Sequence, residues 1–109
     1  MQSWDLLQIN APGGTVDPTV LTSAGEARAV LIAFEPGQAL GEHEVKERAF
    51  LIVVEGEVEV DADGETVTAG PGQLFMFDPA ERHAVRSPRG ARVLLLLAPW
   101  PATDHYRGG

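Results

Sequence analysis

The chain is divided into short apolar runs by turn-forming residues that recur at close intervals. Runs rich in Val, Leu, Ile and Phe occupy residues 29–34, 50–54, 74–77 and 92–97, with Gly, Pro or Asp between them. Short strands separated by turn signals are typical of an all-β sandwich or barrel. The weaker strands are predicted at residues 20–21, 57–60, 66–68 and 83–86, with a hairpin turn at 61–64. No stretch combines a sustained helical period with caps, so we expect an all-β fold.

The length of the chain, 109 residues, corresponds to one domain. We predict that the single domain has an irregular N-terminal arm, residues 1–25, and a C-terminal tail, residues 99–109. The absence of cysteine excludes disulfides, thiolate metal sites and cysteine nucleophiles. Stability then has to come from apolar packing, which a domain of this size can supply.

The charge balance is strongly acidic, with 16 acidic and 8 basic residues and a formal net charge of -8. Such a surface repels phosphate backbones, so we expect no nucleic-acid partner. Residues 1–10 do not join a basic stretch to an apolar run, and no run approaches the ~18 residues that span a bilayer. The expected protein is therefore cytoplasmic and has no membrane partner.

The predicted strand at residues 50–54 is apolar at every position instead of at alternate positions. Because a sheet with one solvated face gives an alternating pattern, both faces of this strand are expected to be covered. The favoured cover is a second copy of the chain in a two-fold homodimer. The alternative is that the N-terminal segment of the same chain folds across the outer face.

Residues 37–56 resemble the first motif of the cupin superfamily. Gly37, His43 and Gly56 stand at the intervals of that motif. The charged and apolar residues at 57–60, with the turn that follows, also fit the order of strands in the family.

Residues 72–87 resemble the second cupin motif, in which a glycine opens a strand and a histidine follows a proline-rich corner. Gly72, Pro79 and His83 carry this match, with Pro79 displaced by one position and Ala80 at the usual corner glycine. The two motifs in order imply a cupin-like double-stranded β-helix, or jelly-roll, barrel.

Two of the four metal ligands that the resemblance implies are absent. The second histidine position is Val45 and the glutamate position is Ala49, so that only His43 and His83 remain. Related proteins hold Fe, Mn, Ni or Zn with three histidines and a carboxylate, which are ligands suited to these ions. The resemblance therefore implies either a reduced divalent-metal site or a barrel without metal.

A substitute carboxylate would complete a set of two histidines and one carboxylate. Glu47 is the best-placed candidate because it shares strand parity with His43, provided that the strand continues that far. The favoured interpretation is instead a solvated residue of the charged segment at 44–48. The tentative metal ligands are thus His43, His83 and Glu47.

Small apolar residues at the lost ligand positions favour a wider and drier pocket for a small organic ligand. The predicted lining combines the two histidines with four apolar residues: His43, Val45, Ala49, Phe75, Phe77 and His83. Spacing of two places Phe75 and Phe77 on one face of their strand and Met76 on the other. One set is expected to line the pocket and the other to form the dimer contact.

The expected function is a small-molecule-binding barrel with a reduced or vestigial metal site. Two alternatives remain open at this point. One is a divalent-metal-dependent enzyme of the dioxygenase or isomerase/lyase type that uses His43 and His83; the other is a structural or interaction barrel without a ligand. A barrel with no cavity beside these histidines would favour the last. Trp100 in the tail either folds over the barrel mouth or packs on a partner chain.

Overall fold

The computed structural model describes residues 1–10, 19–23, 26–43 and 46–100, and at residues 42 and 43 it describes the backbone alone. Within these ranges the chain forms nine strands: β1 Thr19–Thr22, β2 Arg28–Phe34, β3 Gln38–His43, β4 Arg48–Gly56, β5 Val58–Ala62, β6 Glu65–Ala69, β7 Leu74–Phe77, β8 His83–Ser87 and β9 Ala91–Ala98. The same ranges contain no helix that could cross a membrane.

The strands form two sheets whose neighbouring strands all run antiparallel. One sheet has five strands in the order β1-β2-β9-β4-β7, and the other has four in the order β3-β8-β5-β6. Because the chain crosses repeatedly from one sheet to the other, the two sheets close into a jelly-roll barrel. The predicted all-β double-stranded β-helix is confirmed.

The core lies between the two sheets and follows the period of two along each strand. In β4, Ala49, Leu51 and Val53 are buried, whereas Phe50 and Ile52 on the other face are half-buried. The remaining strands contribute inward-facing apolar residues to the same cluster: Ile32, Phe34, Val58, Val60, Ala69, Phe77, Val85, Ala91, Val93 and Leu97. The fully apolar strand of the sequence therefore has one face in the core and one outside it.

The N-terminal segment covers part of the outer face of the five-stranded sheet. Arg92 of β9 donates hydrogen bonds from Nη1 to the carbonyl oxygens of Leu6, at 2.9 Å, and Ile9, at 2.7 Å. The N-terminal segment is thus held at the end of the sheet where Arg92 pairs with Glu55, and cover over Phe50 and Ile52 by the same chain stays an alternative. On edge strand β7, Leu74 and Met76 remain 60% and 55% exposed, and the homodimer stays a prediction.

The hairpin between β5 and β6 is tighter than the sequence predicts. Ala62 still pairs with Glu65, so only Asp63 and Gly64 form the turn. Both have positive φ, 51° and 77°, as a two-residue type I′ turn requires. The predicted turn at 61–64 is therefore wrong in length, since its first two residues belong to β5.

Candidate functional site

His83 occupies the first position of β8 at one end of the barrel and is 3% exposed. Its backbone pairs with Ala62 of β5 on one side and with His43 of β3 on the other. The register between β3 and β8 shifts between Leu40 and His43, so a bulge lies just before the histidine pair. The two predicted histidines therefore occupy adjacent register positions, while the side chain of His43 lies outside the described part of the chain.

The imidazole of His83 stacks on the ring of Phe77, with centroids 3.9 Å apart and an interplanar angle of 4°. Its Nδ1 atom lies 3.2 Å from the carbonyl oxygen of Glu81. Because a carbonyl oxygen only accepts, this contact requires the hydrogen on Nδ1. In the neutral ring Nε2 then carries the lone pair and is the acceptor nitrogen.

Glu47 is fully buried, at 0% exposure, immediately before β4. Its favoured interpretation as a solvated loop residue is therefore wrong. The parity argument that linked it to His43 also fails, because β3 ends at His43 and β4 begins only at Arg48. Glu47 instead stands two residues before Ala49, which is buried and pairs with Phe77. A buried carboxylate thus adjoins the strand pair that carries the stacked ring.

The remaining predicted pocket residues divide according to the strand period. Ala49 and Phe77 are opposite each other and buried, and half-buried Phe75 faces the same side two residues earlier. Met76 points to the outer face, as the spacing predicts. Val45 lies outside the described residues.

A cleft of about 260 Å³ opens between edge strand β6 of one sheet and edge strand β7 of the other. We call it the β6–β7 cleft. Its walls are mainly apolar side chains with acids among them: Val60, Ala62, Val67, Phe75 and Phe77 from the inner faces, Met76 from the outer face of β7, and Asp63, Glu65 and Glu81. Phe77 lines this cleft and also stacks on His83, which lies outside the cleft lining.

A second depression, of about 460 Å³, lies beside the β5–β6 hairpin and includes His83, Arg82 and Arg86 among its lining residues. Arg86 donates to Glu59 at 2.7 Å and to Asp61 at 2.5 Å. The hydrogen bond from Thr66, followed by that from Arg86, holds the pKa of Asp61 below its usual range. The paired carboxylates raise the pKa of Arg86 in turn.

Trp100 lies at the end of β9 and packs against the core cluster. Its backbone nitrogen donates to the carbonyl oxygen of Glu26 at 2.7 Å, and the guanidinium of Arg28 lies 4.6 Å from the ring centroid. Trp100, the second residue of the tail, is therefore held by its own chain, whereas residues 101–109 lie outside the described ranges.

The side chains that the structure describes include no group of three His, Asp or Glu residues close enough to hold a metal ion. His83 and Glu47 are buried and chemically suited to a divalent metal, but they do not complete a coordination set by themselves. The described side chains therefore do not form a metal centre on their own.

Glu65 is a residue of the cleft lining that sequence reasoning missed, whereas Glu81 was only a weaker candidate for the substitute carboxylate. Glu65 has the same parity in β6 as Val67 and Ala69, so its inner-face position was available from the strand period. The carbonyl of Glu81 contacts His83 through the main chain, for which side-chain patterns give no signal.

The fold and this barrel-end site define a small single-domain β-barrel protein of the double-stranded β-helix class. A family model described as Cupin domain matches residues 30–98. The chain belongs to the cupin family.

Several known proteins are similar to the chain. L-ectoine synthase from Thermobifida fusca is 44% identical over 48 residues, which are 42% of this chain and 36% of the synthase. The match thus spans about a third of that curated relative.

Two solved structures share the fold. A conserved double-stranded β-helix protein from Klebsiella pneumoniae has a TM-score of 0.80 at 18% identity, covering 94% of this chain and 93% of the other. KdgF from Halomonas sp. has a TM-score of 0.72 at 22% identity, covering 78% and 79%.

Proposed function

We propose that the chain is a small-molecule-binding cupin barrel protein with a reduced or vestigial metal site. The ligand occupies the β6–β7 cleft and contacts the ring of Phe77, which stacks on His83. The observation that carries this proposal is the buried imidazole stacked on a ring that lines an open apolar cleft. Such a combination of apolar walls and few polar groups is typical of small-molecule sites.

The chemistry of the site supports binding more directly than it supports a particular reaction. Phe75 and Phe77 offer an apolar surface, and Asp63, Glu65 and Glu81 are the polar residues of the same lining. The similarity to L-ectoine synthase, a name that denotes small-molecule chemistry, favours the same class of ligand. A solid barrel without a ligand is disfavoured because a cleft reaches Phe77 and a depression reaches His83.

The test compares ligand binding in two variants of strand β6. Val67→Phe fills the cleft, whereas Thr68→Phe adds the same ring one residue away on the outer face. A small-fragment library is screened by ligand-observed NMR, and hits are followed by thermal melting. We expect hits on the unaltered chain and on Thr68→Phe that disappear with Val67→Phe. Hits that bind equally to both variants, or no hits at all, would contradict the proposal.

A second candidate is a divalent-metal-dependent enzyme that uses His43, His83 and Glu47. The burial of Glu47 favours it, because carboxylate and imidazole are ligands suited to a divalent metal and this carboxylate is removed from solvent. Elemental analysis of the purified protein, before and after chelation, tests this candidate alongside Glu47→Gln. Stoichiometric metal that Glu47→Gln abolishes would support the metal site; unchanged metal content in Glu47→Gln, or no metal in the unaltered chain, would contradict it.

A further inference from the structure

We propose that a second copy of the chain docks on strand β7 and closes the β6–β7 cleft, so that the partner forms a wall of the site. The inference rests on the proposed function of the cleft and names the partner that completes it. It follows from Met76, which lines the cleft and also lies on the outer face of the five-stranded sheet. A chain that buries this side chain also covers the opening of the cleft.

The outer face of the five-stranded sheet carries a continuous apolar block. Two neighbouring rows of three side chains cross β9, β4 and β7: Leu96, Phe50 and Met76 in one row, and Leu94, Ile52 and Leu74 in the other. We call these six residues the outer block. Leu74 and Met76 are more than half exposed, and the other four are half-buried. A contiguous apolar surface of this kind is typical of an association site.

The charges around the outer block favour a copy of the same chain as its partner. The formal net charge is -8, so most of the surface repels a second copy. The block itself is uncharged, and the nearest charged residues along its three strands are two cations and two acids: Arg48, Arg92, Glu55 and Asp78. A two-fold interface brings one surface against itself, which a balanced surface permits and an acidic surface opposes. A cationic protein partner would instead be attracted to the acidic surface outside the block.

Strand β7 suits such a two-fold contact because it is an edge of its sheet. Among the described strands it pairs with β4 alone, and an edge strand offers main-chain groups along its other side. Beside it, Nη1 of Arg48 lies 2.6 Å from Oδ1 of Asp78 and 3.6 Å from Sδ of Met76. The side chains of this ion pair are 39% and 70% exposed. Each copy therefore offers the other one cation and one anion next to the apolar surface.

The cleft gains a wall from this arrangement. Its two edge strands, β6 and β7, belong to different sheets and leave an open gap of about 260 Å³ between them. Small-molecule sites bury most of the surface of their ligand, and a partner chain seated on Met76 supplies surface on the open side. Ligand binding and dimerisation are then linked, and each strengthens the other by the same factor.

The test uses introduced cysteines, since the chain has none of its own. Val67→Cys places a thiol in the cleft lining on β6, and Thr68→Cys places one on the outer face of the same strand. The rate of labelling by N-ethylmaleimide is measured against protein concentration, and light scattering gives the dissociation constant of the dimer. At a protomer concentration ten times that constant, about one fifth of the protomers are monomeric. Labelling of Val67→Cys should then be about fivefold slower than in the monomer, and that of Thr68→Cys should change by less than about twofold.

Leu74→Lys shows whether β7 is the surface responsible. Leu74 belongs to the outer block and not to the cleft lining, so this change leaves the cleft walls intact. Combined with Val67→Cys, it should give a monomer whose labelling rate no longer depends on concentration. Val20→Lys, at an exposed apolar position on β1, is the matched control and should keep the protection. Glu65→Cys, at an exposed position of the same lining, is the second reporter if Val67→Cys fails to fold.

The outcomes separate this inference from the proposed function. A dimer in which Val67→Cys is labelled at the rate of the monomer would overturn the closed cleft while leaving a small-molecule site in place. A monomer at every concentration would also overturn it and would favour cover of the outer block by the same chain. Absence of fragment binding would overturn the proposed function without affecting the labelling result. Protection of Val67→Cys that Leu74→Lys removes and Val20→Lys does not would establish that the second copy closes the cleft.

Discussion

The ring of His83 lies 3.9 Å from the ring of Phe77, centroid to centroid, and nearly parallel to it. The two residues come from different sheets, since β7 is an edge of the five-stranded sheet and β8 is internal to the four-stranded one. This contact therefore joins the two layers at the end of the barrel where the cleft opens.

We expect the stacked pair to contribute measurable coupling to stability. Aromatic pairs add about 0.5–1.5 kcal/mol beyond the area they bury. A double-mutant cycle with Phe77→Leu and His83→Asn, followed by urea unfolding, should give a coupling free energy in that range. A coupling near zero would mean that the rings are merely adjacent.

Acid sensitivity should depend on the Asp61 cluster. The hydrogen bond from Thr66, and after it Arg86, lowers the pKa of Asp61 in the folded state. The contribution of Asp61 to the free energy of unfolding is therefore complete above its unfolded pKa of 3.8. That contribution is lost as the pH falls through the lower folded pKa. Asp61→Asn and Thr66→Val should each flatten the fall in unfolding free energy below about pH 4.

The control for this prediction is Thr68→Val, the next outer-face position on β6, which lies opposite Glu59. It should retain the slope of the unaltered chain in urea unfolding at each pH. If the unfolding free energy of Thr66→Val falls with pH as steeply as that of the unaltered chain, the hydrogen bond to Asp61 does not govern the loss of stability in acid.

The corner between β7 and β8 holds Ala80 at a φ of 66°, in the left-handed region. An alanine there costs about 1–2 kcal/mol relative to glycine, partly offset by the greater freedom of glycine in the unfolded chain. Ala80→Gly should therefore stabilise the fold by up to about 1 kcal/mol, measured by chemical denaturation.

Gly56→Ala, which replaces a glycine of positive φ by alanine, is the comparison for Ala80→Gly. Gly56 has a φ of 81°, and a Cβ there would collide with the backbone of Gly90 and Ala91. Gly56→Ala should destabilise the chain by more than about 1 kcal/mol. If Ala80→Gly also destabilises, the strain at the corner is not what limits stability.

The N-terminal segment should depend on Arg92 for its place on the sheet. Arg92→Met keeps the apolar stem and removes the donors to the carbonyls of Leu6 and Ile9. Hydrogen exchange at residues 5–9 should then accelerate while β2 and β9 stay protected. Arg89→Met, at an exposed turn, is the control, and an equal effect of both changes would contradict this prediction.

The predicted homodimer is tested at strand β7. Large exposed apolar side chains are typical of association surfaces, and Leu74 and Met76 are adjacent outer-face residues of this strand. Light scattering after size exclusion should give a dimer mass that Leu74→Lys/Met76→Lys reduces to that of a monomer. Val20→Lys, at an exposed apolar position on β1, should remain dimeric. A monomer mass for the unaltered chain would refute the prediction.

Much of the fold could be predicted because its strands carry their own pattern. The runs that become β2, β4, β7 and β9 are apolar and bounded by turn residues, and the structure extends most of them by one or two residues. These extensions come from main-chain pairing, which continues beyond the apolar residues. β3 has no such pattern, so its bounds were not predicted from its residues.

The candidate site was less accessible to sequence reasoning because tertiary packing decides it. A charged neighbourhood favours a solvated Glu47, yet that side chain is fully buried immediately before β4. The tautomer of His83 depends on a main-chain carbonyl, and the cleft depends on which strands form the two sheet edges. None of these relationships appears in the spacing of residue types.

The bulge in β3 also affects how chains of this family should be aligned. In an unbroken ladder that continues the pairing of Leu40 with Val85, position 42 would stand opposite His83; the extra residue brings His43 there instead. The interval from Gly37 to His43 therefore contains one residue that the ladder does not use. A chain with one residue fewer in β3 would keep the same histidine pair on a regular ladder, so a gap against such a chain belongs inside β3.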